Sequence, residues 1–416
     1  MDLSTYYIVA AIGLSLLMTW GVGANDLANV MSTTMGSKAV TIRQAMLIAI
    51  IFEFAGAYLG GGGVTETMRD GIINTSSLTS QPKILIEGML AVLLAGTVWM
   101  NLASFLGLPV SITNALVGSM VGFGSIVLGV EAVEWNSVYS IAISWVTSPV
   151  IAGITAYALL LSIQVFIFSR KDPLQHAKRF IPYYLFLVGI ILSFITVFKG
   201  LNHFDIQLNL KQEMAISLFT SIAIAIFGMI VIKRIPEKIE LRRRDKFIQA
   251  EKYFAVLMAM TACAMVFAHG SNDVALAVAP LTLIHSLLSN GASFNPETYP
   301  AWIIFLGCIG VIAGLLVYGK KVIETVGSSI TALTPSRAFA ATFAAATTVV
   351  VATSTGIPVS ATQTLVGAVL GVGLARGIGA LNLRVIRNIF MSWIITLPAA
   401  CLLTVGFYYL LNKLLG

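Results

Sequence analysis

The stretch GLPVSITNALVGSMVGFG at residues 107–124 returns as GIPVSATQTLVGAVLGVG at residues 356–373, with ten of the eighteen positions identical. A second pair of motifs keeps the same order: GANDLANV begins at residue 23, and GSNDVALA begins at residue 270. Apolar segments share Leu, Val and Ala by chance, but they do not readily share two polar motifs in register. The chain therefore contains an internal repeat.

The composition places this repeat in a membrane. Of the 416 residues, 57% are hydrophobic and only 10% are charged, whereas a soluble domain carries about 25% charged residues. A soluble monomer, a disordered chain, a nucleic-acid-binding module and a disulfide-stapled secreted domain are all excluded. Only helices and closed barrels satisfy their backbone groups in lipid, so the expected fold is an all-α polytopic protein that contacts the lipid bilayer and no nucleic acid.

The apolar runs predict about twelve transmembrane segments, since a crossing needs about 20 mostly apolar residues. Several runs exceed a straight crossing, so broken or re-entrant helices are expected. The Gly-rich fourth and eleventh runs are compatible with either a full crossing or a re-entrant loop. The predicted segments are 6–33, 44–62, 84–107, 109–130, 137–168, 181–199, 213–233, 254–285, 301–318, 338–356, 358–375 and 385–413.

The basic residues set the expected orientation. They concentrate in the loops 34–43, 169–180, 233–252, 319–337 and 376–387. If all twelve segments cross, these loops share one side, which the positive-inside rule makes the cytoplasm. We therefore expect a multi-pass protein of the cell (inner) membrane with both termini outside. If the fourth and eleventh segments only dip into the bilayer, loop 169–180 falls on the opposite side.

The repeat suggests a division into a first unit at 1–168, a connecting part at 169–252 and a second unit at 253–416. Seven predicted crossings separate the starts of the two units. Because seven is odd, the second unit is expected to be inverted. Inverted repeats are typical of secondary transporters that bind their substrate between the repeats. Gene duplication alone would also leave symmetry, but it does not explain why the polar stretches are the most similar.

The first polar motif predicts cation sites. A carboxylate inside a membrane costs several kcal/mol unless it is paired or solvated, so it marks a candidate site. Gly-rich backbone beside each Asp allows local unwinding, and the freed carbonyl oxygens are hard ligands that suit Na⁺. Glu53 is a further candidate ligand or gate, and His269 is expected to be structural. The predicted sodium ligands are Asn25, Asp26, Asn272, Asp273 and Glu53.

A structural alternative exists for these carboxylates. Each Asp could instead cap a broken helix or pair with a buried base. No Lys or Arg lies in the apolar centre of a predicted segment, which argues against the pairing.

The second polar motif predicts an anion site. Pro109 and Pro358 favour helix starts, and a helix N-terminus attracts anions through its free N–H groups and its dipole. Two such ends facing each other could hold a tetrahedral oxyanion. Alternatively, the hydroxyl groups could bond back to the carbonyl four residues earlier. The predicted phosphate ligands are Ser111, Thr113, Asn114, Ser360, Thr362, Gln363, Asn25 and Asn272.

No catalytic motif is present: GxSxG, HExxH and Walker A patterns are absent from the sequence. We therefore expect a protein that is not an enzyme and has no cofactor, with sodium ions as the only metal and as a co-substrate.

The paired motifs resemble the inorganic phosphate transporter (PiT) family over nearly the whole chain. This resemblance implies a Na⁺- or H⁺-coupled phosphate carrier, with sulfate permeases as a related branch. It also implies a phosphate site between the repeats with sodium beside it. On this pattern the GAND-type motifs match Asn25, Asp26, Asn272 and Asp273, and the PVSTT-type motifs match Ser111, Thr113, Ser360 and Thr362.

The chain departs from the family pattern at three positions. Relatives commonly carry His where this chain has Asn114 and Gln363, and many carry Glu where it has Thr342. These changes favour Na⁺ over H⁺. The expected function is therefore phosphate import by sodium symport through alternating access. Two Na⁺ would neutralise a divalent phosphate, and a third would add about 2.3 kcal/mol per 100 mV of membrane potential.

Several alternatives stay open at this point. They are a proton-coupled phosphate or sulfate permease of the same fold, a membrane-embedded phosphatase or phosphotransferase, and a channel. The sequence does not fix the sodium stoichiometry, the charge of the transported phosphate, the affinity or the oligomeric state, for which a homodimer is one option.

Overall fold

The computed structural model of the chain is built from α-helices. It describes residues 3–61, 64, 67–68, 71–73, 82–195, 209–236, 242–290, 300–328 and 330–415. No β-strand occurs within these ranges, so the predicted all-α fold class is confirmed. Part of the basic loop 233–252, at 237–241, lies outside the described residues.

Among the helices whose bounds the described residues fix, six come from the first half of the chain: α1 (Leu3–Val22), α2 (Ala28–Gly36), α3 (Ile42–Gly60), α4 (Pro82–Leu106), α5 (Ile112–Gly122) and α6 (Trp135–Ile163). Two connect the halves: α7 (Pro173–Ile195) and α8 (Leu210–Lys233). Seven form the second half: α9 (Arg243–His269), α10 (Ala275–Asn290), α11 (Ala301–Tyr318), α12 (Lys320–Ser328), α13 (Pro335–Ser354), α14 (Ala361–Ala375) and α15 (Leu383–Leu415).

Each of the twelve predicted segments falls on a helix. Ten of the described helical stretches are long and apolar enough to cross a membrane. The other two are shorter, at Ile112–Leu128 and Ala361–Ala375. At 1.5 Å per residue the longer of these spans about 25 Å, less than the hydrocarbon core of about 30 Å. They are the fourth and eleventh predicted segments, for which the sequence left full and re-entrant crossings open.

The expected unwinding beside the two Asp residues is wrong. The backbone forms π-helical turns there, at Gly23–Leu27 and Gly270–Val274, and the helices continue without a break. A π-turn adds a residue to one turn and widens it, while most backbone groups stay paired within the helix. Each polar motif thus lies within a continuous helix.

The two halves interlock through matched helix pairs. Helix α1 packs on α11, and α9 packs on α3, so each helix with an Asn-Asp pair contacts the opposite half. The short helices follow the same rule, because α5 packs on α15 and α14 packs on α6. Both polar motifs therefore lie where the halves meet.

A glycine ends the helix that precedes each short helix. Gly107 and Gly356 have φ values of 70° and 74°, a left-handed conformation that only glycine adopts without cost. The Pro-Val-Ser sequences follow these glycines in extended form, and helices α5 and α14 then begin after the N-cap residues Ser111 and Ser360. The fold thereby brings both predicted anion sites to helix N-termini.

Candidate functional site

The two Asn residues of the Asn-Asp motifs hold the Pro-Val loops. Asn25 Nδ2 donates to the Leu108 carbonyl at 2.9 Å, and Asn25 Oδ1 accepts from the Val110 N–H at 3.0 Å. In the second half, Asn272 Nδ2 donates to the Val359 carbonyl at 2.7 Å, and its Oδ1 accepts from the Val359 N–H at 3.4 Å. Each motif thus positions the short helix of its own half.

The opposite half holds the same loops from the other side. Trp393 Nε1, on α15, donates to the Pro109 carbonyl at 3.1 Å. Ser144 Oγ, on α6, donates to the Pro358 carbonyl at 3.3 Å. Because each loop is bonded to both halves, any relative motion of the halves must alter the helix starts.

The predicted hydroxyl ligands lie at these helix starts. Ser111 Oγ accepts from the Asn114 N–H at 3.3 Å, and Ser360 Oγ accepts from the Gln363 N–H at 3.1 Å. Thr113 Oγ1 donates to the Val359 carbonyl of the other half at 3.1 Å. The alternative, in which these hydroxyls bond back to the carbonyl four residues earlier, is therefore not what the described contacts show.

Asp26 connects the cation and anion motifs across the halves. Its Oδ1 accepts a hydrogen bond from the hydroxyl of Thr362, at the start of α14. Its Oδ2 is buried and has no hydrogen-bond partner among the described residues. A buried, unpartnered carboxylate oxygen is costly unless a cation or donor completes it.

Asp273 has different neighbours. Its Oδ1 accepts from Asn272 Nδ2 at 2.5 Å, and its Oδ2 lies 3.1 Å from His269 Nε2. The other ring nitrogen of His269, Nδ1, lies 2.6 Å from Glu53 Oε1. All three titratable side chains are buried. The expectation that no base pairs with these carboxylates is thus wrong, because it considered only Lys and Arg.

This histidine cluster breaks the symmetry of the repeat. A Cβ added to Gly270 would lie 2.2 Å from the Glu53 carbonyl oxygen, and one added to Gly23 would lie 1.7 Å from that of Val311. The two glycines therefore make equivalent helix contacts in the two halves. Val22 precedes Gly23 as His269 precedes Gly270, so Val22 takes the position of His269 in the first half. Likewise Val311, which contacts Gly23, takes the position of Glu53, which contacts Gly270. The two carboxylate sites are chemically different.

The sequence interpretation missed two residues of the site. One is His269, whose spacing of four residues from Asp273 places both on one helix face. The other is Asn29, three residues after Asp26, which is fully buried and whose Oδ1 and Nδ2 have no partner in the described part of the chain. Asn29 stands in the quoted GANDLANV motif, so its spacing could have identified it.

The two predicted phosphate ligands that remain to be placed line a common cavity. Asn114 and Gln363, from opposite halves, both line a cavity of about 620 Å³ between α6, α14 and α15. Trp145 on α6 also lines it. The carbonyl oxygens of both amides and the indole N–H are buried and unpartnered among the described groups. The remaining walls are mostly apolar, so polar interactions inside are strengthened by the low dielectric.

The carboxylates, the amides and the two helix starts together are suited to binding ions. Asp26 and Asp273 are both buried, so their charges would repel each other with little screening by water if both were ionised. A bound cation relieves this repulsion, and the adjacent helix starts offer N–H groups to an anion. The arrangement can therefore hold cations and an oxyanion next to each other.

Comparison with known proteins agrees with this chemistry. Residues 22–404 match the model of the phosphate transporter family. A Haemophilus influenzae protein, assigned provisionally as a phosphate permease, is 46% identical over 98% of this chain and 97% of its own length. The chloroplastic inorganic phosphate transporter 2-1 of Arabidopsis thaliana is 37% identical over 96% of this chain and 71% of its own. A solved structure titled "The sodium-dependent phosphate transporter" superposes with a TM-score of 0.87, at 34% identity, over 98% of this chain and 99% of that one.

Proposed function

Because the chain belongs to the phosphate transporter family, we propose that it imports inorganic phosphate by symport with sodium ions through alternating access. The Asp26–Thr362 hydrogen bond carries this proposal, since it joins a buried carboxylate of one half to an anion-binding helix start of the other. The protein is a multi-pass membrane protein. We place it in the cell (inner) membrane with both termini outside, acting as a carrier that leaves its substrate chemically unchanged.

The sodium ions bind at the two Asn-Asp motifs in this proposal. Asp26 Oδ2 and the amide of Asn29 supply the free hard oxygens of the first site. Asp273 and Glu53 supply the second, where His269 already contacts both carboxylates. The amides of Asn25 and Asn272 each use one oxygen lone pair on a backbone N–H. Their main role is then to fix the loops, with direct ligation as a secondary one.

The phosphate binds between the starts of α5 and α14. Backbone N–H groups at the helix starts and the amides of Asn114 and Gln363 surround it, with the hydroxyls of Thr113 and Thr362 beside it. Two sodium ions balance a divalent phosphate, so the transported load carries no net charge. Binding is cooperative, because without the cations two carboxylates and a dianion repel each other.

The interlocked packing supports alternating access. Each Pro-Val loop is bonded to the Asn of its own half and to the last helix of the other. A shift of one half against the other therefore changes both helix starts together. The repeats, which we take to be inverted, would then open the site to one side of the membrane at a time.

Labelled phosphate uptake into proteoliposomes tests the proposal. An inward Na⁺ gradient is compared with an equal K⁺ gradient, each with and without excess sulfate. We expect accumulation above equilibrium only with Na⁺ and no inhibition by sulfate. Equal uptake in Na⁺ and K⁺ would remove sodium from the mechanism, and equilibration without accumulation would indicate a channel.

One observation favours a second candidate, proton-coupled phosphate transport. His269 lies between two buried carboxylates, and such a cluster can exchange a proton in place of a cation. An inward proton gradient without Na⁺ distinguishes the two candidates. Accumulation under that gradient alone would establish the second.

A further inference from the structure

A short stretch that follows α3 and α11 is also repeated. VTET, which ends at Thr67, and VIET, which ends at Thr325, share three of their four residues. The two threonines are 258 residues apart, as are Glu53 and Val311, which take matching positions in the two halves. Thr67 and Thr325 are therefore equivalent residues of the repeat.

Each of these threonines bonds to a glycine of the opposite half. Thr325 Oγ1 donates to the Gly107 carbonyl at 2.9 Å, and Thr67 Oγ1 donates to the Gly356 carbonyl at 2.8 Å. These are the glycines with positive φ that precede the two Pro-Val loops, and each stands four residues before the N-cap serine of a short helix. The two hydrogen bonds thus hold both predicted anion-binding helix starts from the other half.

Five residues further along, the same stretches are fixed to their own halves. The Ile72 carbonyl accepts from the Glu134 N–H at 2.9 Å, and the Ile330 carbonyl accepts from the Asn382 N–H at 3.1 Å. Ile72 and Ile330 are again 258 residues apart. The contacts of the two stretches therefore match at both the threonine and the isoleucine.

We call Thr67 with Ile72 the first strap, and Thr325 with Ile330 the second strap. Each strap is joined to its own half at the isoleucine and to the other half at the threonine. A movement of one half against the other must therefore change the distance between each threonine and its glycine.

The two straps lie at opposite ends of α4. The second strap bonds to Gly107, which directly follows the last residue of α4. Next to the first strap, the Ile73 side chain would contact a Cβ placed on Gly124. The adjacent Phe123 ring lies against Gly88, in the second turn of α4. From there to its last residue α4 rises about 27 Å, which is close to the thickness of the hydrocarbon core.

Both straps are bonded at the same time, and the helix starts between them are closed off. Ser111 and Ser360 are each only 1% exposed. Opening the site to one face of the membrane requires the halves to separate at that face. This separation breaks the threonine–glycine hydrogen bond there, while the bond at the other face stays formed.

We propose that Thr67 and Thr325 are positioning residues that close the two ends of the transport path, one at each face of the membrane. The inference rests on the proposed alternating access and deepens it, because it assigns one named contact to each side. With both termini outside, Thr67 follows α3 at the outer face and Thr325 follows α11 at the inner face.

The second strap has a further contact. Lys321 Nζ donates to the Phe105 carbonyl at 3.0 Å and lies 4.6 Å from the centroid of the Phe105 ring. The matching position in the first half, 258 residues earlier, is Gly63, which has no side chain to contribute. Lys321 therefore offers a second and independent way to weaken the strap at the inner face.

The apparent affinity for phosphate, measured separately from the two faces, tests the inference. Sodium-driven uptake of labelled phosphate is followed in right-side-out and in inside-out membrane vesicles, which gives a KM for the outer face and one for the inner face. In Thr67→Val the Gly356 carbonyl loses its partner in the closed state and regains water when the outer face opens. We expect the ratio of outer to inner KM to fall about fivefold, because the outward-open state becomes more populated.

The equivalent change in the other half should act in the opposite direction. Thr325→Val should raise the ratio of outer to inner KM about fivefold. Lys321→Ala should also raise it, since this variant weakens the same strap. The double variant Thr67→Val with Thr325→Val should return the ratio close to that of wild type, because the two shifts cancel. General damage to the fold would not produce opposite shifts that cancel.

Conservative variants serve as controls. Thr67→Ser and Thr325→Ser keep the hydroxyl group and should keep the wild-type ratio. Thr348→Val, which removes a hydroxyl that bonds to the Ala344 carbonyl of its own helix, should leave the ratio unchanged. Lys321 is exposed, so Lys321→Ala decides on the second strap even if Thr325→Val does not reach the membrane. An unchanged ratio in Lys321→Ala would then count against it.

The outcomes separate this inference from the proposed function. Wild-type vesicles that show no sodium-driven accumulation of phosphate would contradict both. Accumulation by wild type, with valine variants that leave the ratio unchanged or shift it in the same direction, would overturn the role of the straps and leave the transport function standing. Opposite shifts with the signs exchanged would support the straps and place both termini inside.

Discussion

The hydroxyl of Thr362 donates a hydrogen bond to the carboxylate of Asp26, although 336 residues separate them in the chain. Asp26 belongs to the π-helical turn of the first half, and Thr362 lies in the first turn of α14 in the second. In the proposed transporter, a cation bound at Asp26 would therefore act directly on the helix start at which we place the anion. This contact is the physical basis of coupling in the proposed transporter.

Replacing Thr362 with Val should weaken this coupling. The variant keeps the side-chain shape and loses the charge-assisted hydrogen bond, which contributes about 1.5–3 kcal/mol. We expect the KM for phosphate to rise about tenfold at low Na⁺ and much less at saturating Na⁺, as measured by uptake at several Na⁺ concentrations. Thr347→Val, which removes only a bond to the Phe343 carbonyl, is the control. An equal rise at all Na⁺ concentrations would argue against coupling through Thr362.

Replacing Asn25 with Ala should release the first Pro-Val loop. The Leu108 carbonyl and the Val110 N–H would lose their partner, at about 1 kcal/mol or more each. We predict a fall of about tenfold or more in phosphate uptake while the protein still reaches the membrane. Asn101→Ala, on the partly exposed side of α4, should leave uptake nearly unchanged. Normal uptake by Asn25→Ala would mean that the loop needs no anchor.

The buried cluster around His269 should be sensitive to the removal of one partner. His269→Ala leaves Glu53 and Asp273 without the ring that contacts them, and breaking such a buried pair costs about 3–5 kcal/mol. We expect a clear fall in the thermal unfolding temperature of the solubilised protein. The double variant Glu53→Gln with His269→Ala should be less destabilised than His269→Ala alone.

The control for this cluster is His285→Ala, a partly exposed histidine that contacts the Trp302 ring. Additive effects in the double variant would show that Glu53 and His269 do not interact in the folded protein. A similar loss of stability in the control would show that the effect is not specific to the cluster.

The link between α7 and α9 should make stability depend on pH. The hydrogen bond from Lys246, at 2.5 Å, and the N–H of Gln175 hold the pKa of Asp172 below its usual value of 3.8. The folded pKa lies below the unfolded one, so this stabilisation is complete above the unfolded pKa and disappears as the pH falls through the folded value. Because both side chains are about one-third exposed, we expect only about 0.5–1 kcal/mol. Thermal unfolding of Asp172→Asn from pH 3 to pH 7 checks this.

If the Asp172–Lys246 pair acts as described, wild type is more stable than Asp172→Asn near neutral pH, and this difference in the free energy of unfolding shrinks in acid. It should also shrink at high salt, since exposed charges are screened. A difference that grows in acid would reverse the sign and contradict the assignment.

Much of the fold could be predicted from local sequence. Each of the twelve apolar runs falls on a helix, because the thickness of the bilayer sets the length of a membrane crossing. The resemblance of the GAND and PVS motifs to the phosphate transporter family is confirmed by the match over residues 22–404. Helices do begin shortly after Pro109 and Pro358, but the prolines lie two residues before the N-caps Ser111 and Ser360 and not in the first helical turn, where they were expected.

The contacts between the halves could not be predicted in the same way. Nothing local in the sequence says that Asp26 meets Thr362 or that Glu53 meets His269, because these pairs depend on how the halves interlock. The expectation that no buried base contacts the Asp residues is wrong at Asp273 for a chemical reason: it considered only Lys and Arg and set His269 aside. Asn29 was passed over because it has no counterpart in the second motif, where Leu276 occupies the matching position.

The paired flux of sodium and phosphate tests the central claim most directly. Labelled sodium and labelled phosphate would be followed together in proteoliposomes containing wild type, Asp26→Asn or Asp273→Asn. We predict that wild type carries both ions in a fixed ratio, with each flux depending on the other ion. Asp26→Asn should reach the bilayer and lose phosphate-dependent sodium entry. Sodium entry that is independent of phosphate in wild type, or a normal ratio in Asp26→Asn, would contradict sodium coupling at this site.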